Sequence, residues 1–197
     1  MNTDMREWLL EHHKAAYEFQ LERTEKLRDR VSLLSGLLTL LGGALLYASI
    51  NYPHSWRGGW SLLFYGPGGL AAVLLIVVIF QVLYALGWGF QYSYIPTPRE
   101  LQNYAAALKA YADASPAENV DVLADVKDHM IQAYCTGATH NLSVNTKRSN
   151  VLLRATQIAI LSFGLLLVSL PRFFFDSAHK NAEPTKVIIS EPISIKP

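Results

Sequence analysis

Charge is missing from three long stretches of this chain. Residues 31–53, 58–98 and 155–171 contain no Asp, Glu, Lys or Arg. Each holds an apolar run close to the roughly 20 residues that an α-helix needs to cross the hydrocarbon core of a bilayer. Together they exclude an ordinary soluble domain. They predict an all-α integral membrane protein, with three transmembrane helices and long cytosolic helical extensions. Cysteine is almost absent as well. With Cys135 alone, no intrachain disulfide or cysteine-rich metal site can form. It falls on the apolar side of a helix beside Tyr134, where a packed thiol is the expectation rather than a nucleophile. Catalytic signatures are also lacking: no G-x-S-x-G, P-loop, dinucleotide fingerprint or H-E-x-x-H occurs. Ser, His and Asp carry no spacing that argues for a triad, so neither enzymatic activity nor a cofactor is expected. Net charge is only +1 and no basic face is evident, which argues against direct nucleic-acid binding.

What remains is a topology. The order is an N-terminal cytosolic helix (1–30), transmembrane helix 1 (31–53) and transmembrane helix 2 (66–92). A cytosolic helical region (97–150), transmembrane helix 3 (151–171) and a flexible C-terminal tail (172–197) follow. Arg23, Lys26, Arg28 and Arg30 crowd the edge of the first span, whereas the loop after it holds only Arg57. Excess positive charge marks the cytosolic side, so the N-terminus and residues 97–150 are placed there and the tail outside. Arg172, Lys180 and Lys186 in the tail run mildly against that rule. Residues 1–30 are polar and dense in both signs of charge, which predicts no cleaved signal peptide.

The second span is the least regular. Gly66-Pro67-Gly68-Gly69 is expected to interrupt it, leaving residues 60–65 at the interface and residues 70–90 to cross. Trp56, Trp60 and Tyr65 on one side, with Trp88, Tyr92 and Tyr94 on the other, resemble the aromatic belts found at headgroup level. Pro171, followed by Phe173, Phe174 and Phe175, reads as a helix stop with an aromatic anchor. Lys186 to Ile189 in the tail is β-prone, and the tail is assigned no fold.

Between the second and third spans, Thr97-Pro98-Arg99-Glu100 and Ser115-Pro116-Ala117-Glu118 share one pattern. Each offers a hydroxyl N-cap, a proline at the first helical position and a glutamate for a reciprocal capping box. The first helix is expected over residues 98–112. The second runs from Pro116 into the membrane, since no proline occurs before Pro171 and Gly137 is the one glycine before the third span. Val120, Leu123, Met130, Tyr134, Gly137, Asn141, Asn145, Arg148, Leu152 and Ala155 keep a coherent helical phase along it. Such a helix would extend roughly 80 Å. Residues 4–30 lack proline and glycine too, so the first span is also expected to continue into the cytosol. Trp8, Ala15 and Phe19 form an apolar edge there, for packing beside the other helices or for a solvated helix that touches nothing.

Candidate chemistry is sparse. Asp125 and His129 stand one turn apart with Asp121 and Asp128 nearby, yet a metal site needs three or four ligands and no second cluster exists. A solvated acidic face is the expectation, and no metal is assigned. His12 and His13 point about 100° apart on a helix and cannot chelate together. The spans look better suited to association. Ser35, Thr39 and Gly43 recur every four residues, as do Ala155 and Ala159, and Ala85 with Gly89. Small residues at that interval let helices approach closely in lipid, either within one chain or in a homo-oligomer. Gln81 and Gln157 are the most polar groups in the spans, and each needs a partner. They would lock the bundle by pairing, or line a narrow pore in an oligomer.

The stripe Asn141-x3-Asn145-x2-Arg148-x3-Leu152-x2-Ala155 leads straight into a hydrophobic span. This passage, with the general plan of residues 1–170, resembles the small membrane effectors of bacterial anti-phage defence, including the SLATT-type proteins. The resemblance implies a bacterial inner-membrane protein that disrupts the bilayer when a cytosolic sensor signals infection. It carries no catalytic residues. Asn141, Asn145 and Arg148 would then couple the cytosolic helices to the spans. The alternatives are a non-catalytic anchor or scaffold subunit and, less favoured for want of charged rings in the spans, a constitutive ion channel.

Overall fold

The structure is a computed structural model that describes residues 3–52, 62–87, 90–116 and 119–182. Among the described residues there are four helices: α1 (Thr3–Asn51), α2 (Leu62–Gly87), α3 (Pro98–Ala114) and α4 (Val122–Ala182). Three of them, α1, α2 and the Val122–Phe175 stretch of α4, are long and apolar enough to cross a membrane. The chain is a helical membrane protein, as its three charge-free stretches require. Trp56, Arg57, Trp60, Trp88, Gly89, Glu118 and residues 183–197 lie outside the described residues.

Two compact units divide the chain: residues 1–37 with 77–157, and residues 38–76 with 158–197. In the first unit, Arg6 bonds Asp128, Thr24 bonds Asn145, and Asn145 bonds Gln20, at sequence separations of 122, 121 and 125. Nearly constant separations mean that α1 and α4 run parallel there. Their packed faces follow a period of alternating threes and fours. On α1 it runs through Tyr17, Gln20, Thr24, Leu27, Val31 and Leu34, all buried except the half-buried Thr24. On α4 it runs through Ala138, Asn141, Asn145, Arg148, Leu152 and Ala155, all buried. That seven-residue repeat is the one that keeps a seam between two helices in register. Leu123, placed on this stripe by its spacing, is 66% exposed, and Ala124 is buried in its stead.

In the second unit, Leu41 packs with Leu75 and Leu166, and Ala48 and Tyr52 with Phe64 and Phe173. Rising numbers on α1 and α4 against falling numbers on α2 make α2 antiparallel to both. The Tyr52 and Phe64 rings stack at 4.0 Å. The buried Ser162 hydroxyl donates to the Ala71 carbonyl at 3.0 Å, a contact suited to surroundings where every polar group must be satisfied internally. Outward-facing side chains such as Leu40, Leu46 and Ile50 are apolar and exposed, the surface that lipid demands.

Three expectations are corrected. The glycines around Pro67 do not interrupt α2, which continues through them from Leu62. Pro171 does not stop α4, which continues to Ala182; Phe173, two residues on, is buried against Ala48, Tyr52 and Phe64, and that packing outweighs the donor that proline removes. Residues 172–182 are therefore helical rather than tail. Nor does the long helix begin at Pro116. Ser115 ends α3, its N–H bonded to the Tyr111 carbonyl, and Asn119 turns the backbone with φ at 45°. Asp121 then caps α4 by accepting from the Ala124 N–H at 3.1 Å.

Candidate functional site

The first unit buries a polar junction where the charged part of α4 gives way to its charge-free stretch. Two turns of α4 supply Asn141 and Asn145, both fully buried, and Arg148, 6% exposed. Between α2 and α3 the chain is non-helical over residues 90–97, and this strap lies against them. Asn141 grips it at both backbone groups of one residue. Its Oδ1 accepts from the Ser93 N–H at 2.8 Å and its Nδ2 donates to the Ser93 carbonyl at 3.1 Å. An amide side chain thus takes the place of a neighbouring strand. Its spacing from Asn145 and Arg148 puts all three on the buried face, as the stripe predicts.

Asn145 ties the strap to α1. Its Nδ2 donates to the Gln20 carbonyl at 2.8 Å and to Gln20 Oε1 at 3.2 Å. Its Oδ1 accepts from the Tyr92 hydroxyl at 3.0 Å and lies 3.1 Å from the Thr24 hydroxyl. Thr24 Oγ1 also reaches the Gln20 carbonyl at 2.9 Å, so its single proton is shared between two acceptors. Every lone pair and proton of the Asn145 amide has a partner. That is the condition for burying such a group without a large cost.

Arg148 is satisfied less well. Its Nη1 donates to the Tyr92 hydroxyl at 3.2 Å, while its buried Nε has no hydrogen-bond partner among the described residues. No carboxylate pairs with it there. A buried guanidinium without a counter-charge is a destabilising element that its surroundings must hold in place.

Above the asparagines, Tyr17 wedges the strap to α4. Its hydroxyl donates to the Ser93 carbonyl at 3.3 Å, and its ring meets that of Tyr134 edge-on at 5.7 Å. Burial pushes its phenol above the ordinary tyrosine value, so it remains a donor near neutral pH. A Cβ at Gly137 would sit 3.0 Å from Tyr17 Cε2, so glycine is what lets this ring lie flat on α4. Farther out, Arg6 meets both carboxylate oxygens of Asp128, at 3.0 and 3.1 Å.

Tyr17, Gln20, Thr24 and Ser93 escape a motif-based reading, although the first three share the three-and-four spacing of Leu27 and Val31. Tyr92, assigned by its position to an aromatic belt, turns its hydroxyl inward to Asn145 and Arg148. Tyr94, 78% exposed, faces out.

Gln81 and Gln157 are not brought together. Gln157 is exposed, and the buried Gln81 Oε1 has no partner among the described residues. Ala155 and Ala159 are fully buried in close packing, as is Ala85. Ser35 is half-buried, and Thr39 and Gly43 are exposed; a Cβ at Gly36 or Gly43 would have nothing within 4 Å. The seam of α1 thus runs through its larger apolar residues, and its small-residue stripe faces outward. No group of three or more potential metal ligands occurs among the described residues. Asp128 is engaged by Arg6, and the His129 ring lies 4.5 Å from that of Tyr104. No family model, curated protein or solved structure matches the chain.

Proposed function

We propose that this chain is a non-enzymatic membrane effector of the inner membrane, with its N-terminus and residues 97–150 in the cytosol. Copies associate in the bilayer and make it leaky when the cytosolic helices receive a signal, as in anti-phage defence. The observation that carries this reading is the junction of Asn141, Asn145 and Arg148. It clamps the strap between two helices that each continue from the polar region into a span. A static anchor gains nothing from a buried guanidinium that lacks a carboxylate. A two-state element does, because releasing the strap returns that charge to water or to headgroups. Thr39 and Gly43, the exposed members of the small-residue stripe, support association between copies.

A specific observation favours a second reading. Met5, Trp8 and Phe19 are exposed on α1 outside its charge-free stretch, which suits a scaffold subunit that holds a partner protein there. Induced expression with a membrane-potential dye tests the first reading, with and without the genes that flank this one. Depolarisation that a triggering partner increases supports it. Unchanged potential and normal growth in both backgrounds, with a stable hetero-complex in mild detergent, favours the scaffold.

A further inference from the structure

The polar edge of the spans carries a second site. Between residues 30–37 of α1 and 149–156 of α4 lies an open groove of about 590 Å³, within the range of about 300–1,000 Å³ typical of small-molecule sites. Leu34 and Leu152, both buried, make its floor, while Leu37 and Leu153 form exposed walls. Arg30 stands at its head, with Ser149 beside it. Arg30 is the last charged residue of α1 before the charge-free stretch, so its head group lies where the apolar surface begins.

Charge selects what fills the groove. Among the described residues Arg30 has no carboxylate partner. Acids are scarce around it: α4 has none between Asp128 and Asp176, and α2 has none at all. By the register that sets Gln20 and Thr24 beside Asn145, Glu22, Glu25 and Asp29 stand at this level against Arg23, Lys26, Arg28, Arg30, Lys147, Arg148 and Arg154. The site therefore presents a surplus of cations above a leucine trough. We propose that it binds one anionic phospholipid, with the headgroup phosphate on the Arg30 guanidinium and an acyl chain along Leu34 and Leu152. A free phosphate would leave the trough unfilled, and a zwitterionic lipid would bring an ammonium to a site already rich in cations. This assignment rests on the membrane location of the spans and not on the effector reading, so either can fail alone.

The test is native mass spectrometry of the full chain in mild detergent. Dioleoyl phosphatidylglycerol is titrated against dioleoyl phosphatidylcholine, whose acyl chains are identical. One cation near an anionic headgroup favours binding by about fivefold. One phosphatidylglycerol should therefore be retained at least that much more tightly than phosphatidylcholine. Arg30→Gln should erase the preference, while Lys14→Gln, remote from the groove, should keep it. Leu153→Trp changes an exposed wall residue and narrows the trough, so it should weaken both lipids with the charge intact. Equal retention of the two lipids would overturn the proposal. So would an unchanged preference in Arg30→Gln, full binding in Leu153→Trp, or displacement of the lipid by millimolar inorganic phosphate.

Discussion

Replacing Asn145 with alanine withdraws an amide that serves three neighbours at once, and the structure says which of them are stranded. The Gln20 carbonyl keeps a donor, because the Thr24 hydroxyl reaches it at 2.9 Å. Thr24 likewise keeps that acceptor. The Tyr92 hydroxyl still accepts from Arg148, but its own proton loses Asn145 Oδ1. Gln20 Oε1 loses the Asn145 Nδ2 donor. Two polar groups in a buried setting are left unsatisfied, at about 1–3 kcal/mol each, so the loss is roughly 2–6 kcal/mol. Reversible unfolding in mixed micelles, followed by circular dichroism, measures it. The exposed Asn150→Ala, two residues from Arg148, should stay within about 0.5 kcal/mol of the parent. A cycle with Tyr92→Phe isolates the shared term. The double variant should be more stable than the sum of the singles predicts, by about 0.5–3 kcal/mol, because no tyrosine proton is then left stranded. Arg148 loses its acceptor in both arms of that cycle and cancels. A loss below about 0.5 kcal/mol for Asn145→Ala, or strict additivity, would refute the claim that this amide organises the junction.

Other perturbations reach its surroundings. Gly137→Ala should destabilise by about 1 kcal/mol in the same unfolding assay, since overpacking against Tyr17 costs about 1–3 kcal/mol and helix propensity returns only about 1. In a Tyr17→Ala background the sign should reverse, and a loss in both backgrounds would disprove the steric account. Arg6→Ala and Asp128→Ala should show a coupling of only about 0.2–1 kcal/mol that shrinks with added salt, because the pair is partly exposed. A salt-independent coupling would contradict that. The Thr97 backbone N–H and hydroxyl hold the Glu100 carboxyl below the ordinary glutamate range. Its stabilising effect on α3 is thus fully present above the unfolded-state value and lost as pH falls through the lower folded value. Helix content measured from neutral to acid pH should show that loss in the parent and not in Glu100→Gln.

The spans were legible because a bilayer imposes a strict rule, and a missing charge is easy to read. So was the face of α4 that carries Asn141, Asn145 and Arg148, because helical spacing fixes which residues share a side. The capping box at Thr97 formed with both arms in place, since it uses contacts three residues apart. Ser115 carries the same letters but ends a helix, because the left-handed turn at Asn119 and the Asp121 cap supply a better start. The partners of the stripe were out of reach for a different reason. Asn141 finds Ser93 across 48 residues and Asn145 finds Gln20 across 125. No local pattern encodes such distances. The strap carries no period at all, being neither helix nor strand, so nothing in residues 90–97 announces that two asparagines hold it. Pro171 misleads in the other direction, since packing of Phe173 overrides a local rule.

The most direct test concerns the parallel course of α1 and α4, on which the junction and its proposed coupling both depend. In a Cys135→Ser background, single cysteines replace Lys14, Lys109 and Lys127, and a membrane-impermeant maleimide is applied to spheroplasts and to inverted vesicles. All three should react in inverted vesicles alone. Labelling of Lys14→Cys from one face and Lys127→Cys from the other would contradict the account.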